Sequence, residues 1–194
     1  MFPRYLVVAS SISMGGVSIF SMHYLGNQAI LLGDGDILLQ IVYNPAYTTF
    51  SMFLPVVVLL AAFTMVGSNE KVSWMRVGPG GALASLAILG MHFLGQAGIW
   101  NYTVEYHIGN AVGSGLIAVS ATVTALSVFF LLRASWTVSW WKRALIAVLL
   151  AGAVSGMHWI AELGTLYRLK RVNTSTDQIL SRNSTVIIIT MLVR

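Results

Sequence analysis

Four stretches of this chain run for twenty residues or more without one charged side chain: Tyr5–Ala29, Tyr47–Val66, Val77–Trp100 and Ile108–Leu132. A fifth, Ala144–Leu163, carries only Glu162. A helix of about 20 apolar residues crosses the roughly 30 Å hydrocarbon core of a bilayer. Charge is confined to 9% of the residues, against about 25% in soluble domains. The expected fold is therefore an all-α polytopic membrane protein with five complete transmembrane helices, forming a single domain over residues 1–194. A sixth apolar run begins near Thr185, but "TVIIITMLVR" is only half a span at about 1.5 Å per residue. The expectation is a partial sixth helix, and a chain that is a piece of a longer protein or truncated.

The net charge of +5 does not indicate nucleic acid, because the basic residues lie at helix ends rather than on one continuous face. They read as topology signals. Arg4, the loop with Lys71 and Arg76, and the loop with Arg133, Lys142 and Arg143 are basic, whereas the loops holding Asp34, Asp36 and Glu105 contain no lysine or arginine. Positive charge stays inside, so the N-terminus is expected in the cytoplasm of a multi-pass protein of the plasma membrane. The loop with Arg168, Lys170, Arg171 and Arg182 runs against this bias. Three Asn-x-Ser/Thr sequons, at Asn101, Asn173 and Asn183, fall in the loops expected outside and are candidate glycosylation sites. The absence of cysteine excludes disulfides, thiolate haem and iron–sulfur clusters. No nucleophile elbow, phosphate loop or carboxylate pair suggests an enzyme.

Against this background one phrase recurs: "SMHYLG" at Ser21–Gly26, "GMHFLG" at Gly90–Gly95 and "GMHWIA" at Gly156–Ala161. It stands near the end of the first, third and fifth spans. Those helices run in one direction, so His23, His92 and His158 are expected at one depth, near the outer face, as three hairpin repeats. Ionisable side chains in spans face the protein interior or a cavity, and three at one depth suggest a shared site. Met22, Met91 and Met157 precede the histidines, and imidazole with thioether suits copper, Cu(I) in particular. Asn27, Gln96 and Glu162 follow four residues later on the same helical face, as further ligands or as partners that fix the imidazole tautomer. His107, at the start of the fourth span, is a possible further ligand. Without any ligand, the same glycines and methionines would still build a tight three-helix cluster.

The three phrases resemble the motifs of the MHYT family of integral membrane sensor domains over about Leu6 to Gly164. The resemblance implies a sensory and signalling module that binds copper through Met22, His23, Met91, His92, Met157 and His158. It further implies sensing of O2, CO or NO and an unknown downstream partner. This chain departs from the family at Leu25, Leu94 and Ile160, where the family name has Thr, and at Asn27, Gln96 and Glu162, where bacterial members often place Met. The sequons and these changes point to a eukaryotic member, with a fungal source the expectation. Two other functions fit three histidines in a membrane: a metal transporter and a haem-binding redox protein.

Overall fold

The computed structural model describes residues 4–67, 73–131 and 139–173. Five helices are long and apolar enough to cross a membrane: α1 Arg4–Gln28, α2 Pro45–Gly67, α3 Trp74–Ala97, α4 Ile108–Leu131 and α5 Trp140–Leu163. The chain is an integral multi-pass membrane protein. Its five spans agree with the expected ones within a few residues. The sixth run and Asn183 lie outside the described residues.

Neighbouring helices in the chain pack against one another, α2 on α3, α3 on α4 and α4 on α5, while α1 lies on α2 and reaches α5 at its C-terminal end. The core is apolar and runs along α3, where Val77, Ala84, Ala87, Ile88 and Met91 meet Leu59, Ala62 and Val66 of α2. The outer surface is equally apolar: Phe50, Val57, Leu116, Val148 and Leu149 are exposed. In water that surface would drive aggregation; in lipid it is the solvated face.

Small residues set the helix approach. Gly81 of α3 leaves room for the backbone of Val123 of α4, and the Thr122 hydroxyl donates to the Gly81 carbonyl at 2.9 Å. Gly15 of α1 packs backbone to backbone on Pro55 of α2, 2.8 Å from where a Cβ would lie. Here α1 is wound as a π-helix over Ile12–Ile19. The Phe20 N–H bonds back to the Gly15 carbonyl, five residues earlier. Insertion of a wide turn rotates everything beyond it, so this segment sets the direction in which His23 faces.

At the end where the histidines lie, the loops are knitted rather than loose. Strand β1, Tyr102–Tyr106, pairs antiparallel with β2, Thr165–Leu169, from Tyr102↔Leu169 to Tyr106↔Thr165. Tyr43 bridges to Ile99, and the Tyr102 hydroxyl donates to the Leu39 carbonyl at 2.6 Å.

This cap holds two of the three sequon asparagines. Asn101 is fully buried; its Oδ1 accepts from the Val42 N–H at 2.9 Å and its Nδ2 donates to the Gln40 carbonyl at 2.8 Å. Asn173 is also buried and donates through Nδ2 to the same carbonyl at 2.7 Å. Both amides tie loops together. Of the basic residues that argued against the topology, Arg168 is in β2, exposed and paired with Glu105 at 3.0 Å, and Arg182 lies outside the described residues.

Candidate metal centre

His23, His92 and His158 come together, each buried. Their Nδ1 atoms form a triangle with edges of 3.2, 3.3 and 3.5 Å. The rings meet edge to face, with centroids 5.0–5.3 Å apart. The odd-numbered helices therefore return the motif to one depth, as the spacing required.

The triangle is unusual as a hydrogen-bond arrangement. Each Nδ1 carries either a proton or a lone pair. Of three such atoms at least two are alike, so at least one edge sets two lone pairs or two protons against each other. Two hydrogen bonds at most can form along three edges. A single cation resolves this, because all three lone pairs can then point the same way. The dimensions agree: tetrahedral ligands at about 2.0–2.1 Å from a metal are about 3.3 Å apart, and the observed edges bracket that value. The residues present fit a metal.

Packing holds the rings in place. A Cβ on Gly95 would collide with His23 Nε2, and one on Gly26 with His158 Nε2. Each glycine lies three residues after its own histidine and receives the imidazole of another helix. Ala161, buried at 3% exposure, holds the corresponding position on α5. Phe93 lies edge-on to His92 at 5.0 Å and Trp159 to His158 at 6.3 Å. The residue after each motif methionine-histidine pair thus flanks the cluster on two helices. On α1 the equivalent Tyr24 instead packs on Phe20 and Tyr43.

The methionines are placed differently. Met91 and Met157 are fully buried within the apolar cluster, and Met22 packs against it half-buried. The apolar side of the site is built from them.

Only one of the three residues at the fourth position after a histidine touches its own ring: Asn27 Nδ2 lies 3.3 Å from His23 Nε2. Gln96 and Glu162 bond to each other and to Tyr167, which the sequence did not mark. Gln96 Nε2 donates to Glu162 Oε1 and, at 3.1 Å, to the Tyr167 hydroxyl. That hydroxyl donates to Glu162 Oε2 at 2.6 Å. The three helices converge here, so neighbours across helices displace neighbours along one helix. His107 is not part of the cluster: it is exposed, its Nδ1 lies 3.2 Å from Asn110 Oδ1, its N–H donates to the Gly164 carbonyl at 2.7 Å, and its carbonyl starts α4 by accepting from the Ala111 N–H at 3.1 Å.

Above this polar layer stand tyrosines of the loops. Burial pushes the phenols of Tyr43 and Tyr167 well above the usual range, and partial desolvation takes Tyr106, 38% exposed, up to about 12, with the Glu162 charge adding to each. The folded state holds these protons more tightly than the unfolded chain, so their contribution to stability is whole below about pH 10 and falls above it, that of Tyr106 as pH rises through about 12. In an absorbance titration of the seven tyrosines, the ionisation of Tyr43, Tyr106 and Tyr167 should lie above the free phenol value of about 10. Ionisation of all seven in a single step near the free phenol value of about 10, with the protein still folded, would contradict this packing.

A membrane-embedded helical bundle with a buried three-histidine cluster at one end is the class this structure defines. Residues 16–79, which include the first motif, match the MHYT family model, described as a bacterial signalling protein N-terminal repeat. Over those residues, about a third of the chain, the sequence is similar to that repeat of bacterial signalling proteins. No curated protein and no solved structure matches it.

Proposed function

We propose that this domain is a membrane sensor whose three motif histidines hold a copper ion near the outer face of the plasma membrane, with a diatomic gas (O2, CO or NO) or redox state as its signal. The observation that carries the reading is the Nδ1 triangle, whose three contacts no pattern of protons can satisfy. Neutral imidazoles in an apolar surround suit copper, and carboxylate-seeking magnesium or calcium would be poorly served. Bound copper would supply reversible one-electron chemistry and a position for a small ligand.

The chain's own residues do the rest. Met91, Met157 and the neighbouring helix core exclude water from one side. Gly26 and Gly95 let the rings approach. Asn27 reads the tautomer of His23: with a proton on Nδ1 its amide nitrogen donates to Nε2, and with the lone pair of Nδ1 engaged, Nε2–H donates and the amide must turn to accept. Asn27 Oδ1 is buried without a hydrogen-bond partner, and the buried Tyr43 hydroxyl lies beside the same side chain. That pair can change partners when the amide turns, which links the site to the loop before α2. The touching rings leave no slot between them for a macrocycle, which favours copper over haem.

The test is elemental analysis of detergent-purified protein, followed by exposure of the reduced form to CO or NO. About one copper per chain and a spectral change on gas addition are expected. Folded protein that neither retains nor takes up copper would overturn the reading.

A further inference from the structure

Glu162 is the only acidic residue in the five spans. The basic residues within those spans, Arg4, Arg76, Lys142 and Arg143, all lie at the opposite helix ends, some 30 Å away along a helix of this length. The nearby hairpin cation Arg168 is engaged by Glu105 at 3.0 Å. Among the described residues Glu162 makes no ion pair, and two uncharged donors, Gln96 and Tyr167, hold its carboxylate in the apolar layer. A charge in that layer is costly and needs an opposite charge close by. The group that can supply one is the histidine triangle, one helical turn away on the same face of α5, at His158.

We infer that Glu162 is the counter-charge of the metal: three neutral imidazoles bind the cation, and this one carboxylate, clamped on the next turn, balances a single positive charge. The inference rests on the metal reading given above and adds to it a consequence for redox. A monovalent cuprous ion with Glu162 forms a neutral unit. The cupric state leaves one positive charge over, and the carboxylate is what makes that state tolerable. Glu162 is a positioning and electrostatic residue here, since its oxygens are bonded to Gln96 and Tyr167. These two donors keep the charge aimed between the cluster and the tyrosine cap.

The experiment is copper binding to full-length protein in detergent, with Glu162→Gln beside wild type. Affinity is read by chelator competition for Cu(I) and Cu(II), and the reduction potential of the loaded protein is recorded. A buried amide costs less than a buried carboxylate, so the variant should fold; Glu162→Leu serves as a second neutral variant with the same expected direction. Loss of the anion should weaken Cu(II) at least tenfold, and Cu(I) less. The potential should therefore rise, by about 59 mV for each tenfold difference between the two losses. Tyr167→Phe, which keeps the charge and removes one hydrogen bond, should shift the potential less than either neutral variant. Copper held equally by wild type and Glu162→Gln at an unchanged potential would overturn this inference and leave the metal centre standing. Folded wild type that binds no copper at all would overturn the metal reading itself.

Discussion

His92→Ala should abolish copper binding while leaving the helical bundle assembled. His92 is the most enclosed of the three histidines, with no exposed surface, and its Nδ1 forms two of the three triangle edges. Its removal leaves two imidazoles on one side of an open cavity, a coordination set too small to compete with water and detergent-borne ligands. The metal-free stability should change far less. Large-to-small substitutions in a core cost about 2–5 kcal/mol. At this position the loss is offset, because His92 Nε2 is buried without a partner and an unsatisfied polar group costs about 1–3 kcal/mol. Removing His92 also relieves two of the three crowded edges.

The distinction can be measured in one assay. A ligand that binds only the folded state at 100 times its Kd stabilises it by about 2.7 kcal/mol. Wild-type protein should therefore melt several degrees higher with copper than without. His92→Ala should melt at one temperature in both conditions, close to that of metal-free wild type. A copper-dependent shift that survives in the variant would place the metal elsewhere, and with it the function proposed for the motif.

The parts of this architecture legible in the sequence are those with a one-dimensional signature. The spans follow from hydropathy, since lipid must be faced along twenty residues at a time. The histidines follow from repetition, because alternate helices return to the same end of the bundle. Their glycines were legible as close-approach positions, but not which ring each one receives. That depends on the order of helices around the site, on which the sequence is silent. The same blindness explains Gln96 and Glu162. Helical spacing places each beside its own histidine, whereas convergence of α3 and α5 places them beside each other.

The tyrosine cap was the least legible part. Its strands, Tyr102–Tyr106 and Thr165–Leu169, are five residues each and more than sixty apart, and such short segments carry a weak alternation that loop charges obscure. Asn101 shows the converse error: a three-residue sequon says nothing of burial, and the amide it marks is an internal hydrogen-bonding bracket. The π-helical turn in α1 has no sequence signature beyond the glycine pair Gly15–Gly16, yet the orientation of His23 follows from it.

Gly95→Ala is the substitution in which the smallest chemical change should have the largest structural effect. The added methyl would lie against His23 Nε2, closer than nonbonded atoms come. The far end of a flexible side chain could swing aside, but this ring cannot. Its Nδ1 is in contact with His92 and His158, and its residue is 2% exposed. Either the ring leaves the triangle or α1 and α3 move apart. Overpacking a core by one methyl costs about 1–3 kcal/mol, a modest part of total stability, so the protein should fold with unchanged helix content. Copper affinity should fall by more than tenfold, since a displacement of a few tenths of an ångström is large against a metal–nitrogen bond. Gly152, by contrast, has open space where its Cβ would stand, and Gly152→Ala on α5 should leave copper binding and melting temperature unaltered. Equal copper affinity in Gly95→Ala and Gly152→Ala would mean that the ring positions are not fixed by helix approach. The glycine three residues after the histidine would then have no part in building the site.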